Sequence, residues 1–593
     1  MPDFIDSPVL SPVSVPPALA AIEGVVPFEA KYHAYLSDES RLTGWADSLS
    51  FPTSTAHVAE IVKACCQAQI PLICQGSRTG ITGAGVPMGG HVMVLEQLNL
   101  IRVLAYVEET ETQQATLLLT VAPGLSLAAL NAELESGFAH LIENDVVGDA
   151  AALRAVNETK WFWPPDPSEA QASIGGIVSN NAGGICGHRY GRAGQHVAGL
   201  EWVDADGQVW SIHRGEYVFH DHTCQTPMGD MLSFDPRALG LSANADLVDV
   251  LVGGEGMLGV ITGITLALQP APVCRWAIVA FFHQDTDAAA FADSLKTDIL
   301  DARYSHPLVA LEYLDSSMLA AMTLQRVHMT TLQSLPLFPA GSQAALYLEL
   351  HHHDVDAVEN WCETLLMRLM EAGIEEDAMW AAMDESEYAR LRQLRLLAPE
   401  VSNALRLQRA MSSSSGDPAV SMSLKIATDL KIEGSFSETL QRYKSHLYHP
   451  SNGTERVAYT LFGHALDNHL HLNLLPDNSE AQQLAVKAIL HELVQQAADV
   501  KLNAEKKSTA LACLPQSLSV EHGIGKLKAA AILPHLPAAY HDAYRQLKAA
   551  FDPHGVFNPH NRLQAYDCFV VNPPLTHAGS HSDAERHATC LYE

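Results

Sequence analysis

Apolar residues recur with two different periods along this chain, and the changes of period mark its elements. From Ser54 to Gln69 the positions Val58, Ile61, Val62, Cys65 and Cys66 fall at helical spacing, and Pro71-Leu72-Ile73-Cys74 follows as a short buried strand. The pattern predicts a helix feeding a strand. That strand runs into Gln75-Gly76-Ser77-Arg78-Thr79-Gly80-Ile81-Thr82-Gly83-Ala84-Gly85, after which Val92-Met93-Val94-Leu95 reads as the next strand. A glycine loop therefore lies between two strands. Further strands are predicted at Thr116 to Val121, Gly199 to Val203, Leu247 to Val252 and Val260 to Leu268, each bounded by Gly, Pro or Asp.

At Pro270-Ala271-Pro272 the pattern changes, which predicts a domain boundary. A strand at Ala277 to Phe282, a helix, strands at Leu308 to Leu314 and Ala344 to Leu350 and a second helix follow. That helix, Val355 to Ala372, gathers Val358, Trp361, Cys362, Leu365, Leu366 and Leu369 on one side and stops at Gly373. The stretches Ser412 to Asp417 and Asn503 to Leu518 read as surface loops. Both ends, a Pro-rich leader before residue 45 and a tail after Asn572, lack periodicity, and the tail is expected to be mobile. The whole reads as α+β.

At 593 residues the chain needs more than one core, and its 47% hydrophobic and 18% charged residues are those of a globular protein. A formal net charge of −32 repels phosphate backbones and anionic lipid surfaces, so nucleic acid is not expected as a partner. An anionic small molecule needs a local arginine or lysine. The ten cysteines form no C-x-x-C pair, the bland reading being reduced cytosolic thiols. Neither an export signal nor a membrane span is read, which points to a cytoplasmic protein with peripheral contact at the inner membrane left open.

Three glycine-rich segments carry the first candidate chemistry. Gly76, Gly80, Gly83 and Gly85 let backbone N–H groups approach a pyrophosphate, although such a loop alone is more often a tight turn. The second segment, Gly254-Glu255-Gly256-Met257-Leu258-Gly259, has the form of a dinucleotide fingerprint, but Val260-Ile261-Thr262-Gly263-Ile264-Thr265 after it is strand-like and no acidic residue stands about 20 positions on. A nicotinamide cofactor has no seat there. The third runs from Pro164-Pro165-Asp166-Pro167-Ser168 through Ser173-Ile174-Gly175-Gly176-Ile177-Val178-Ser179-Asn180-Asn181-Ala182-Gly183-Gly184 and crowds backbone donors and Asn amides together, as a large polar heterocycle requires.

Taken in order, these segments resemble the FAD domain of the vanillyl-alcohol oxidase and p-cresol methylhydroxylase superfamily, within it the branch of D-lactate, glycolate and D-2-hydroxyglutarate dehydrogenases. The resemblance runs from about Phe51 to Leu563. It implies a two-subdomain FAD-binding domain of the p-cresol methylhydroxylase type at 46–272, a ferredoxin-like α+β substrate domain at 273–545, and a C-terminal helical segment at 546–568 that returns to the FAD domain. The leader is 1–45 and the tail 569–593. To FAD it assigns Gly76, Ser77, Arg78, Thr79, Gly80 and Gly83; Pro165, Asp166, Ser173, Gly175 and Gly176; Ser179, Asn180, Asn181 and Gly183; and Glu255, Gly256, Val260 and Ile261, with Asn558. Where the family reads Arg-Gly-Gly-Gly-Thr this chain has Gln75-Gly76-Ser77-Arg78-Thr79, so Arg78 is read as the replacement cation. The loop lacks the histidine that tethers flavin in some relatives, which implies non-covalent FAD, and Cys186 reads as a buried thiol rather than a second attachment point.

The other candidate chemistry is Gly463-His464-Ala465-Leu466-Asp467-Asn468-His469-Leu470-His471-Leu472-Asn473, where alternation puts His469, His471 and Asn473 on one strand face and Leu470 and Leu472 on the other. Downstream stands Ser519-Val520-Glu521-His522-Gly523-Ile524-Gly525-Lys526. Two imidazoles and one carboxylate suit a catalytic zinc and also accept manganese or cobalt, but by spacing alone satisfied histidines, in a chain with 29, explain the pattern as well. The resemblance makes His464, His471 and Glu521 the metal ligands and His522 the general base. The family's Gly-Asn is Asn468-His469 here, a departure that makes His469 an extra ligand or alters substrate contacts.

A 2-hydroxy acid needs a cation for its carboxylate, and several arginines qualify. The segment from Leu391 to Glu400 resembles the family element that selects Arg395 over Arg392, and Lys425 and Asn473 match residues placed near substrate. The implied activity is FAD-dependent oxidation of a D-2-hydroxy acid, D-lactate or D-2-hydroxyglutarate foremost, to the 2-oxo acid. Electron-transfer flavoprotein, a quinone or a cytochrome would take the electrons, and a homodimer is left open. The competing readings are an oxygen-using oxidase of the same fold and a zinc-binding protein with a vestigial flavin fold.

Overall fold

The computed structural model describes residues 14–107, 116–143, 150–301, 306–413, 426–448, 457–477, 479–505 and 517–562. The helix expected after Ser54 is Thr55–Ala68: the Ser54 side chain accepts from the His57 N–H, and Gln69 closes it in the left-handed region. It feeds strand Leu72–Gln75, which pairs in parallel with His91–Val94; that strand pairs in parallel with Ser48–Ser50, and Val26–Pro27 joins the edge antiparallel. The glycine loop fills the crossover between Gln75 and His91.

A second, antiparallel sheet orders Ile101–Val107, Thr116–Val121, Val260–Pro270, Val197–Val203 and Val209–His213. The expected strand at Leu247 to Val252 is instead the helix Leu247–Leu251. Asp246 caps it by accepting from the Asp249 N–H while Asp249 accepts in return, and that reciprocal cap overrides the β-branched run. Asp246 also accepts from the Gly215 N–H at 2.9 Å. Asp246→Ala is expected to lower stability by about 1–2 kcal/mol, read as a shift of the urea midpoint at unchanged slope.

The chain leaves this sheet at Pro270 and enters the next at Cys274. The third sheet is antiparallel, in the order Met379–Ala382, Cys274–Phe282, Ala344–His352, Leu308–Asp315, Ala458–His464, His469–Leu475, Ile426–Ala427, with Leu430–Lys431 also against His469–Leu475. One face, with Ile278, Leu311, Leu346, Leu470 and Leu472, is buried in a core shared with Val358 and Leu365 of helix Val355–Glu371 and Ile489 and Leu493 of helix Glu480–Glu505. The opposite face carries Glu312, Glu349, His464, His471 and Asn473. A sheet that buries carboxylates and imidazoles on one face must pair them.

The segment Asn503 to Leu518 is not simply a surface loop: helix Glu480–Glu505 runs into it, and Leu518 at its end is fully buried. Residues 506–516 lie outside the described residues. So does most of the Ser412 to Asp417 stretch, which helix Ala398–Ser413 enters, and the whole tail. Helix Ala538–Phe551 then returns to the first half, where Ala543, Leu547 and Phe551 join its core and Leu72 hydrogen-bonds Val556 and Asn558.

Candidate active site

The glycine loop, the Ser173–Gly184 segment, the Glu255–Ile261 segment and the polar face of the third sheet enclose one cavity of about 610 Å³. That lies within the ~300–1,000 Å³ range of ligand and cofactor sites. Gly76, Ser77, Arg78, Thr79 and Gly80 line it, as do Ser173, Gly175, Gly176, Ser179, Asn180 and Gly183, and Glu255, Gly256, Val260 and Ile261. Among the described residues, the N–H groups of Ser77 to Ile81 have no hydrogen-bond acceptor, and the buried Asn180 Oδ1 has no donor. Such a row of unsatisfied donors along a glycine loop suits the pyrophosphate of a dinucleotide.

Five residues assigned to the cofactor lie outside the lining. Asp166 pairs with Arg392 and sits beside Pro165 behind the wall; Asn181 accepts from the Gly194 N–H; Gly83 accepts from Lys526; and Asn558 bridges Lys526, Ala84 and Glu255. Arg78 reaches the cavity, but its guanidinium pairs with Glu96 at 2.7 Å and stacks on Tyr35 at 4.3 Å. The Cys186 sulfur is turned away, towards Glu349 at 3.4 Å, in a buried cluster where Glu349 also accepts from Tyr347, Tyr388, His351 and Arg392.

A Cβ at Gly76 would stand 2.0 Å from Ser173 Oγ, which caps helix Ile174–Ser179 by accepting from the Gly176 N–H. Moving that hydroxyl undoes the cap on the neighbouring cofactor segment. Gly76→Ala is therefore expected to cost about 1–3 kcal/mol in the bound geometry, roughly 10–100-fold in FAD affinity. Titrating the apoprotein with FAD measures it.

The loop from Ser519 to Lys526 reaches this cavity from the other half of the molecule and is held on two sides by buried carboxylates. Glu255 accepts from the Ile524 and Gly525 N–H groups at 2.8 and 2.9 Å and from Asn561 and Arg562, so its side chain braces the loop. Asp429 accepts from the N–H groups of Glu521 and His522, from Ser519 and from Lys528. Thr82 of the glycine loop accepts from the Lys526 and Leu527 N–H groups. Sequence reasoning missed the bracing role of both carboxylates, because their partners lie some 90 to 300 residues away.

Three donor atoms converge beside His522. His464 Nε2, His471 Nε2 and Glu521 Oε1 stand 3.3, 3.4 and 3.2 Å apart. Donors on a tetrahedral ion at about 2.0–2.2 Å lie roughly 3.3–3.6 Å from one another, so this triangle has the size of one face of a zinc site. The strand register sets it, since Glu312 lies opposite His464 and Phe462 opposite His471. Glu312 accepts from His464 Nδ1 at 2.6 Å, which leaves Nε2 as the donor towards an ion. Its other oxygen accepts from Arg395 Nε. The one signal for Glu312 in the sequence is a lone carboxylate in the otherwise uncharged run Leu308 to Leu314.

Burial disfavours a charged His464, yet Glu312 and Glu521 outweigh it and raise its pKa to about 10. Two carboxylates on one imidazole call for a cation, whether proton or metal. Burial, aided by the neighbouring His469 and His522 imidazoles and opposed by Glu521, holds His471 well below the usual histidine value, and burial, against the pull of Asp429, lowers His522 to about 4. A neutral imidazole beside a cation-seeking cluster is what a general base requires. His522 Nδ1 lies 3.9 Å from Asp429 Oδ2, and Nε2 lies 3.6 Å from Glu521 Oε1.

Linked to His464 through Glu312, Arg395 is buried with its guanidinium 4.9 Å over the Phe462 ring; its Nη1 has no acceptor among the described residues, nor has Asn473 Nδ2. Both residues line the cavity. Arg392, by contrast, is committed to Asp166 and Glu349. Lys425 lies outside the described residues.

Residues 279–561 match the FAD linked oxidases, C-terminal domain, and residues 46–152 and 146–213 match the FAD binding domain. The chain is 26% identical over 525 residues to the glycolate oxidase subunit GlcD of Bacillus subtilis (strain 168), covering 86% of this chain and 88% of that protein. To the mitochondrial D-lactate dehydrogenase [cytochrome] of Arabidopsis thaliana it is 23% identical, over 88% of this chain and 74% of the other. A solved 4-ethylphenol oxidase from Gulosibacter chungangensis superposes with a TM-score of 0.59 at 15% identity, over 93% of this chain and 98% of that one, a likeness of fold. With both domains matched in order around one cavity, the chain belongs to the FAD-linked oxidoreductases of the glycolate oxidase and D-lactate dehydrogenase family, on the FAD-binding fold of the p-cresol methylhydroxylase type.

Proposed function

We propose that this chain oxidises a D-2-hydroxy acid to the 2-oxo acid at a site that holds a divalent metal beside FAD. The reading rests foremost on one observation: a triangle of metal-type donors and two unpartnered buried donors suited to a carboxylate share the wall of the cofactor cavity. When bound, FAD would supply the hydride acceptor for the substrate carbon and a divalent ion a Lewis acid for the substrate hydroxyl. His464, His471 and Glu521 would hold the ion. Arg395 Nη1 and Asn473 Nδ2 satisfy themselves on the substrate carboxylate, which fixes the hydroxyl towards His522. With the proton on Nδ1, on the Asp429 side, His522 Nε2 takes the hydroxyl proton.

The family names supply the substrate class: relatives are called glycolate oxidase and D-lactate dehydrogenase. Glycolate, D-lactate and D-2-hydroxyglutarate share the head group that these residues address. Electron-transfer flavoprotein, a quinone or a cytochrome is the proposed acceptor, with oxygen as the alternative suggested by the relative named as an oxidase. Measuring turnover with an artificial acceptor against peroxide formation in air separates the two. Among the described residues no helix is long and apolar enough to cross a membrane.

A further inference from the structure

The metal triangle does not use every imidazole on its strand pair. His469 lies opposite His464 in the register, its ring 5.1 Å from that of His464 and 4.6 Å from that of His471, and it is buried. One of its ring nitrogens lies with donor atoms of His464, His471 and Glu521 in a group whose members are all within 4.8 Å of one another. Its Nε2 stands 2.9 Å from Asp429 Oδ1, a close contact off the line of a hydrogen bond, so that a carboxylate lies beside one ring nitrogen here as Glu312 lies beside His464 Nδ1. A carboxylate on one ring nitrogen leaves the other for an ion and fixes the ring that presents it.

We infer that His469 is a fourth protein donor to the metal, oriented by Asp429, so that this chain offers three imidazoles and one carboxylate. The inference rests on the metal reading above. It gives Asp429 two duties, since the same carboxylate that fixes the His469 ring also accepts from the N–H groups of Glu521 and His522. Ligand and base are thereby braced from one point. A third imidazole also strengthens the preference of the site for a transition metal over magnesium or calcium, which favour oxygen donors.

The test uses the full-length, FAD-loaded protein stripped with a chelator and then loaded with Co²⁺ as a probe. X-ray absorption counts the imidazoles around the ion, and competition with a chromogenic chelator gives its affinity. Three imidazoles in the parent protein, two in His469→Asn, and an affinity lower on the order of tenfold or more in the variant support the inference. Two imidazoles in the parent protein overturn it while leaving the metal reading intact, and that count needs no variant to fold. Failure of the parent protein to bind Co²⁺, Zn²⁺ or Mn²⁺ overturns the metal reading and this inference with it.

Discussion

Replacing His522 by asparagine is expected to slow reduction of the bound flavin by substrate by about 10²–10⁴-fold, the usual worth of a positioned general base. The side chain lies in the cavity wall, stacked on His471 with ring centroids 5.0 Å apart, and burial keeps it neutral. Asparagine retains a polar group of similar reach but cannot take a proton. FAD content and substrate affinity should change little, because the bracing bonds of the loop come from main-chain N–H groups at Glu521, His522, Ile524 and Gly525, which the substitution leaves in place. Rapid-mixing measurement of flavin reduction separates the outcomes. A rate within a factor of two of the parent's would remove His522 from the chemistry.

The second large effect is expected at Glu312, which touches no substrate. Its two oxygens hold Arg395 Nε and His464 Nδ1, so one buried carboxylate links the group proposed for the substrate carboxylate to a group proposed for the metal. Glu312→Ala leaves a guanidinium and an imidazole buried without their anion. Breaking a buried pair in this way costs about 3–5 kcal/mol, measurable as the urea midpoint of the FAD-loaded protein. Removal of the carboxylate also frees His464 to rotate, so metal affinity should fall together with stability. A loss below about 1 kcal/mol would mean that water or another carboxylate replaces Glu312, contrary to its complete burial.

The sequence marked local features faithfully and long-range ones hardly at all. The helix after Ser54 ends within one residue of its expected span because its signals, a side-chain cap and a left-handed stop, are written next to it. The strand after Asn468 alternates as expected, with Leu470 and Leu472 in the apolar core and His471 and Asn473 on the cavity side, because a single buried face suffices to set the period. At Leu247 the same logic misled: the apolar run outweighed the Asp246 and Asp249 cap that makes the segment helical. Arg78 reads in the sequence as the replacement cation of the loop, but its guanidinium pairs with Glu96, which arrives 18 residues later, on the far side of the next strand. Glu312, Asp429 and the bracing of the base loop by Glu255 were not legible, since a carboxylate gives no local sign of which distant N–H or imidazole it will meet.

FAD chemistry at this site is proposed to act on a 2-hydroxy acid with the help of a metal. The most direct test is anaerobic bleaching of the visible flavin band when the FAD-loaded protein is offered D- and L-2-hydroxy acids, with and without prior chelation. The expected result is rapid bleaching by a D-2-hydroxy acid, little by its L-enantiomer, and loss of the reaction after chelation with recovery when Zn²⁺, Mn²⁺ or Co²⁺ is restored. Bleaching that is indifferent to chelation would contradict the metal's part, and a flavin that no 2-hydroxy acid reduces would contradict the substrate class itself.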